Sequence, residues 1–321
     1  MAESEETVWI RDFRKSDLAS ALKVVQLSFA EEFELKGLDP KHIEKLVNQM
    51  FGMLGRIMRG LLKIFGKEFF RLFVAEVRGE VVGTTMITKQ EKVAYISTVA
   101  VHPDFRRKGI ARRLVKSALE YVQDQKLRRA VLYVIPMNSF AKTLYTGFGF
   151  RDFEKLVLLA ADAEQVSSPE HVKGIEIADF RKSQTDTVYE LLRSSEDPER
   201  LSLLDYRKKD LKTPLFERVF HLYNKVQMVA LRESQIVGYI EATYTTSAEA
   251  GQISNVQVHP ELREKGIEEM LICAATTKVK QAGSKKIVGT ASARRPELIA
   301  SMMKLGFKKH LELDGMVLES Q

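Results

Sequence analysis

The chain repeats itself. Asp12-Phe13-Arg14-Lys15-Ser16 recurs as Asp179-Phe180-Arg181-Lys182-Ser183, and Val101-His102-Pro103 recurs as Val258-His259-Pro260. Lys108-Gly109-Ile110 returns as Lys265-Gly266-Ile267, and Gly149-Phe150 as Gly306-Phe307. The last three pairs share one offset of 157 residues. Three anchors in one register mark a tandem duplication, so the two halves must admit the same fold. The first pair is offset by 167, which places about ten extra residues of copy one between Glu31 and Phe70. The join falls between Ala160 and Lys173, where Ser167-Ser168-Pro169 breaks any periodic pattern. We therefore expect two domains, residues 1–163 and 164–321.

Each copy reads alike. A short strand (Val8 to Phe13; Ile175 to Phe180) leads into helical sequence. A hairpin follows, Arg71–Val77 and Val81–Thr88 turning at Arg78-Gly79-Glu80, with Val226–Arg232 and Ile236–Tyr244 as its counterpart. Next comes a strand ending at His-Pro (Tyr95 to Val101; Ile253 to Val258), then a helix from Gly109 to about Gln125. Ile110, Leu114, Ala118 and Val122 form its four-residue apolar ladder, and Arg113, Lys116, Glu120 and Gln123 its polar face. A strand, Ala130 to Ile135, and a short helix ending near Gly147 complete the reading. This order predicts an α/β fold, each copy having a mixed central sheet flanked by helices.

Charge separates the copies. From Asp104 to Arg113 the sequence DFRRKGIARR carries five cations against one anion. A helix N-terminus already bears a partial positive charge, and each cation there is unfavourable by about 0.3–1 kcal/mol. Amides and cations gathered at a helix start, with Gly109 allowing close approach, suit a phosphate or pyrophosphate. A solvated basic turn with a structural glycine is the plainer alternative. The matching segment of copy two, Glu261 to Met270, reads ELREKGIEEM, with two cations against four anions. That helix start satisfies its own dipole and would repel a pyrophosphate. The contrast favours an anion site in copy one.

On these residues the chain resembles the GNAT superfamily of N-acetyltransferases in both copies. Arg106-Arg107-Lys108-Gly109-Ile110-Ala111 matches the family signature of Arg or Gln, two residues, Gly, one residue, then Gly or Ala. It follows directly on the strand end Val99-Ala100-Val101. Asn138, Ala141, Leu144 and Tyr145, followed by Gly149-Phe150, match the second motif. The resemblance implies acetyl-CoA as co-substrate, held by the backbone of Val99, Ala100 and Val101 along its pantetheine arm. It implies a pyrophosphate cradle from Arg106, Arg107, Lys108, Gly109, Ile110, Ala111 and Arg112. Asn138 and Ala141 would face the cofactor, and Tyr145 would protonate the departing thiolate. Tyr145 as a packing aromatic and Asn138 as a helix N-cap are readings compatible with these roles. In copy two Glu268, Arg295 and Met302 stand where Ala111, Asn138 and Tyr145 stand in copy one, so it reads as a degenerate domain.

The implied reaction is direct attack by an amine, small molecule or protein, whose identity the sequence leaves open. No carboxylate lies in Ile96-Ser97-Thr98 or Leu132-Tyr133-Val134, so the base is unassigned, with Ser97, Tyr133, Glu31, Glu32 and Glu34 as candidates. Val47, Met50, Phe51, Leu54, Met58, Leu61 and Leu62 form an apolar stripe for the acceptor side, for the sheet, for copy two or for a homodimer contact. A non-catalytic acyl-CoA sensor or interaction module is the rival reading. The net charge of +7 admits nucleic acid, but no nucleic-acid motif appears. The six histidines show no metal-ligand spacing, and His102 and His259 read as turn residues. Cys273 is expected in the core. Met1 to Glu6 is acidic, and Arg56, Arg59, Lys63 and Lys67 interrupt the apolar stretch from Phe51 to Phe70. The expectation is a cytoplasmic protein without a membrane span.

Overall fold

The computed structural model describes residues 7–30, 44, 70–205, 207–212, 223–245 and 249–320. The apolar stripe, the extra residues of copy one and Glu31, Glu32 and Glu34 lie outside the described residues. The described residues form two compact units, one of those up to residue 152 together with 315–320 and one of those from 153 to 314.

In unit 1 the strands β1 (Val8–Asp12), β2 (Phe70–Val77), β3 (Glu80–Gln90), β4 (Val93–Val101) and β5 (Arg129–Val134) follow one another across the sheet. All neighbours from β1 to β4 are antiparallel; β4 and β5 are parallel. The strand beside β5 comes from the far end of the chain, β12 (Lys308–Glu319), whose last residues belong to unit 1. Met316, 1% exposed, enters the core cluster of Ile96, Leu132, Tyr145 and Phe150, and Ser320 N–H donates to Arg128 O at 2.7 Å. Unit 2 runs β6 (Arg151–Asp162), β11 (Lys286–Ser292), β10 (Ala250–Val258), β9 (Gln235–Tyr244), β8 (Asn224–Arg232) and β7 (Ile175–Asp179). Its parallel pair is β10 with β11. Each unit thus closes its sheet with a strand from the other half of the sequence.

Helices cover both faces. In unit 1, Val74 packs with Ala21 of α1 (Leu18–Ser28), while its neighbour Ala75 packs with Ile110 and Leu114 of α2 (Ile110–Asp124). Adjacent strand residues point to opposite faces, so α1 and α2 lie on opposite sides of the sheet. The ladder read from the sequence is buried, joined by Val115 and Tyr121. Gly83 lets α2 sit close: a Cβ there would come within 3.1 Å of Ala100 O and Leu114 Cδ1. In unit 2, α4 (Thr185–Ser195) and α6 (Ile267–Gln281) repeat the arrangement around Val229 and Ala230. Short helices α3 (Ser139–Thr146), α5 (Pro198–Leu204) and α7 (Pro296–Lys304) complete the described α-helices.

The recurring Asp-Phe-Arg-Lys-Ser is a helix entry. In unit 1 Asp17 accepts from Arg14 N–H at 2.6 Å; in unit 2 Gln184 accepts from Arg181 N–H at 2.8 Å. Asp17 also accepts both Nη atoms of Arg11, at 2.6 and 2.9 Å. Burial pushes the Asp17 carboxyl up, but the bonds from Arg11 and Arg14 outweigh it and hold it below the usual range. Unit 2 has Ala178 and Gln184 at these places, so charge and partner were replaced together. Asp17→Asn should cost about 2 kcal/mol, less than a fully buried pair because Arg11 stays partly hydrated and keeps Glu76. A carboxyl held low stabilises above its unfolded pKa and loses that contribution as pH falls through the folded value. The gap between wild type and variant should therefore close in acid; denaturant melts at neutral and acid pH measure it, and a gap independent of pH would rule out the ion pair as its source.

Candidate functional site

The sheet of unit 1 forks. β4 and β5 pair from Val93↔Arg129 to Tyr95↔Val131, and pairing ends there although both strands continue. A bulge against β3 causes the divergence: Met86 faces Ser97, but Thr84 already faces Ala100. Thr98 within it has φ +56°. Such an insertion bends and twists its strand.

His102 N–H donates to Val82 O of β3 at 2.8 Å. By the two-residue alternation of a strand, Ala100 also directs its amide and carbonyl at β3, and Val99 and Val101 direct theirs into the fork. Arg106 Nε donates to Val101 O at 3.1 Å, bracing the turn that follows.

That turn is built from a 3-10 turn, Pro103–Phe105, entered at His102, and two left-handed residues, Arg107 at φ +66° and Gly109 at φ +74°. Gly109 opens α2, and a Cβ on it would meet nothing within 4 Å. Left-handed residues in a turn gather successive N–H groups into an anion-binding concavity. Ile110 is buried beneath it among Ala75, Val77, Val82 and Leu114, so only its amide can face a ligand. Ala111 is half-buried, and Arg106 to Gly109 are exposed.

Among the described residues, Arg106, Arg107 and Arg112 have no acidic partner. Three cations of the turn lie over aromatic rings: Arg107 over Phe140 at 4.1 Å, Lys108 over Phe105 at 5.2 Å, and Arg112 over Phe148 at 5.2 Å. Phe140 and Phe148 escaped the sequence reading, and they join the basic turn to the second motif. Phe140, 69% exposed, belongs to α3, which Asn138 caps by accepting from Ala141 N–H at 3.1 Å. Asn138, Ala141 and Tyr145 are three and four residues apart and so share one helix face. Tyr145 lies in the core cluster, edge-on to Phe150 with ring centroids 6.0 Å apart. Burial pushes its hydroxyl up to about 12.

Ser97 Oγ and Met86 O are 3.5 Å apart, and Ser97 and Tyr133 are both half-buried on the strands of the fork. Cys273 is half-buried on α6 rather than enclosed in the core as expected, because its helix position lies at the edge of the buried stripe.

Unit 2 has the same backbone with different side chains. Glu264 and Gly266 are left-handed at φ +60° and +85°, and Asn255 repeats the bulge at φ +50°. Backbone strain is therefore a property of this fold and not of the copy-one site. Lys265 Nζ donates to Glu261 O at 2.8 Å, Arg263 donates to Ser195 O, and Glu268 and Glu269 stand in the first turn of α6. A Cβ on Gly266 would come within 3.1 Å of Val172 Cγ2, where the space at Gly109 is open.

A sheet that forks beyond its parallel pair, with a helix starting at a glycine turn after the fork, is found twice and defines one α/β fold present in both units. The acetyltransferase (GNAT) family model matches residues 45–150 and 185–307, and the chain belongs to that family. A mycothiol acetyltransferase of Amycolatopsis mediterranei is 34% identical over 91 residues, 26% of this chain and 30% of that protein. An uncharacterized N-acetyltransferase of Methanocaldococcus jannaschii is 37% identical over 90 residues, 26% of this chain and 39% of that protein. The chain thus spans less than half the length of either relative. Among solved structures, a tandem GNAT protein from the clavulanic acid biosynthesis pathway superposes with TM-score 0.69 at 16% identity, covering 98% of both chains. A GCN5-related N-acetyltransferase from Sphaerobacter thermophilus gives TM-score 0.66 at 18% identity, covering 97% of this chain and 95% of that one. At such identities the likeness is one of fold. Among the described residues no helix is long and apolar enough to cross a membrane.

Proposed function

We propose that unit 1 is an N-acetyltransferase site that moves an acetyl group from acetyl-CoA to an amine acceptor. The observation that carries this reading is the cationic, left-handed turn at Arg106–Arg112, in which Arg106, Arg107 and Arg112 have no acidic partner among the described residues, next to the fork at Val99–Val101. The amides from Arg107 to Ala111, with the charges of Arg106, Arg107, Lys108 and Arg112, suit a pyrophosphate. Val99 and the amide of Val101 offer the edge of β4 to an amide-bearing arm, as an added strand would take it, while the Val101 carbonyl holds Arg106. Ala100 contributes by fixing that edge against β3, and Asn138 and Ala141 by setting the start of α3 beside Arg107.

In the reaction the nitrogen lone pair attacks the acetyl carbonyl carbon, the C–N bond forms, and the C–S bond breaks. A strand amide at Val99 polarises the carbonyl, and the Tyr145 hydroxyl donates toward the leaving sulfur. The amine proton leaves in the same reaction, and the sulfur gains one, so charge balances. Unit 2, lacking these side chains, is read as a non-catalytic copy.

Calorimetric titration with acetyl-CoA tests the donor site on the wild type and on Gly109→Glu. The space around Gly109 accepts the side chain, and a left-handed non-glycine residue costs about 1–3 kcal/mol, which a folded domain can carry. The expected result is one site per chain, weakened at least tenfold by the new carboxylate. Two sites would assign cofactor binding to unit 2 as well, and no binding would end the acetyl-CoA reading.

A further inference from the structure

We infer that Arg295 is a built-in occupant of the strand fork in unit 2, keeping shut a second acyl-CoA site whose backbone is intact. The inference rests on the proposed function insofar as the fork of unit 1 receives the donor's arm. Arg295 stands where Asn138 stands in unit 1, and Val256 where Val99 stands. His259 N–H donates to Val237 O at 2.9 Å, so by alternation Val258 and Val256 direct their backbone groups away from β9 and into the fork. Arg295 Nη1 donates to that Val256 carbonyl at 2.7 Å and to Gln257 Oε1 at 3.0 Å. Its Nε donates to Glu297 Oε1 at 2.8 Å, and the residue is only 7% exposed. The guanidinium thus takes the backbone acceptor that an entering amide would need.

Two other differences close the same place. Arg295 Nη2 lies 3.8 Å from Oε1 of Glu268, which is fully buried and stands where Ala111 stands in unit 1. The two departures from the family pattern therefore face each other, while burial pushes the Glu268 carboxyl up and the carboxylate that accepts from Arg295 is that of Glu297. Met302, the counterpart of Tyr145, packs so tightly on β11 that a Cβ on Gly289 would come within 2.9 Å of its Sδ and Cε. Gly289 is where the pairing of β10 with β11 ends, so Met302 fills the base of the fork. A partner charge left alone in the interior destabilises, so the two residues must be changed together.

The test uses the full chain with Gly109→Glu in unit 1, so that only unit 2 is read, and acetyl-CoA as probe. Gly109→Glu alone should bind at least tenfold more weakly than wild type. Adding Glu268→Ala, Glu269→Arg, Arg295→Asn and Met302→Tyr, which install the residues of unit 1, should create one site per chain, at least tenfold stronger than the parent. Binding by the parent chain at the strength of the opened one would overturn the inference. So would an opened variant that melts as cooperatively as its parent yet binds nothing while wild type binds one equivalent. If neither wild type nor the opened chain binds, the proposed function fails and the inference falls with it. Should the opened variant not fold, the Arg295 Nε–H resonance of the Gly109→Glu chain, assigned through Arg295→Lys, decides. A slowly exchanging signal unmoved by saturating acetyl-CoA supports the built-in occupant, and a signal that shifts overturns it.

Discussion

Tyr145→Phe is expected to slow acetyl transfer by about 10²–10⁴-fold while acetyl-CoA binds with nearly unchanged affinity. The ring is a packing element, enclosed in the core of unit 1 against Phe150, and phenylalanine keeps that packing. What disappears is the hydroxyl, so the loss falls on turnover. Burial pushes that hydroxyl up to about 12, well above the roughly 8.5 of a free thiol. Full transfer of its proton to a thiolate is therefore uphill by about 5 kcal/mol. In the proposed reaction Tyr145 would donate a hydrogen bond as charge develops on sulfur, and it would not end that reaction ionised. The sign for pH follows: a raised pKa keeps the hydroxyl protonated through neutral and moderately alkaline solution. The rate of the wild type should consequently show no falling limb from Tyr145 below about pH 11, and its rising limb should track the acceptor amine. Single-turnover rates and calorimetry on both proteins measure the effect. Equal turnover in the two would reduce Tyr145 to a packing residue and favour the acyl-CoA sensor.

The parts of this fold that were legible in the sequence are those imposed locally. Gly109 and Gly266 mark left-handed helix starts, His102-Pro103 and His259-Pro260 mark 3-10 turns, and the Asp-Phe-Arg-Lys-Ser entries mark helix caps. Each depends on a few neighbouring residues, so each survives duplication and can be aligned by eye. The α2 ladder is legible for the same reason, since burial on one face imposes its own period. The contrast of charge at Arg106–Arg112 and Arg263–Met270 was also visible, and Glu268 buried facing Arg295 explains where one side of it went. Phe140 and Phe148, the aromatic seats of Arg107 and Arg112, were missed because they lie more than thirty residues further along the chain and only the fold brings them to the turn. The exchange of end strands left no trace either. β6 and β12 are related by the same repeat and both alternate enough apolar residues to close a sheet. Which sheet each joins is settled by long-range pairing, to which local pattern is blind.

Deleting Gly315–Gln321 is expected to unfold unit 1 and abolish its acetyl-CoA binding, although every signature residue from Val99 to Tyr145 remains. The deleted residues include Met316 and Val317, each 1% exposed, and Leu318, which packs on the core and lies 3.3 Å from where a Gly149 Cβ would be. Truncating even one such side chain costs about 2–5 kcal/mol, and a domain holds only about 5–15 kcal/mol in all. The cut also removes the Arg129–Glu319 ion pair at 2.8 Å and the bond from Ser320 to Arg128. It bares β5, whose far edge bounds the fork where Leu132 and Val134 meet Tyr145 in one core. Lys155 keeps Glu312 and Asp314 within unit 2, so that unit should retain its own transition. Hydrogen exchange resolved by segment separates the cases. Protection lost over residues 70–150 and kept over 224–305 is the expected pattern. Full protection in unit 1, with acetyl-CoA still bound, would mean that β6 has moved in beside β5 and that the exchange is one of two pairings this sequence supports.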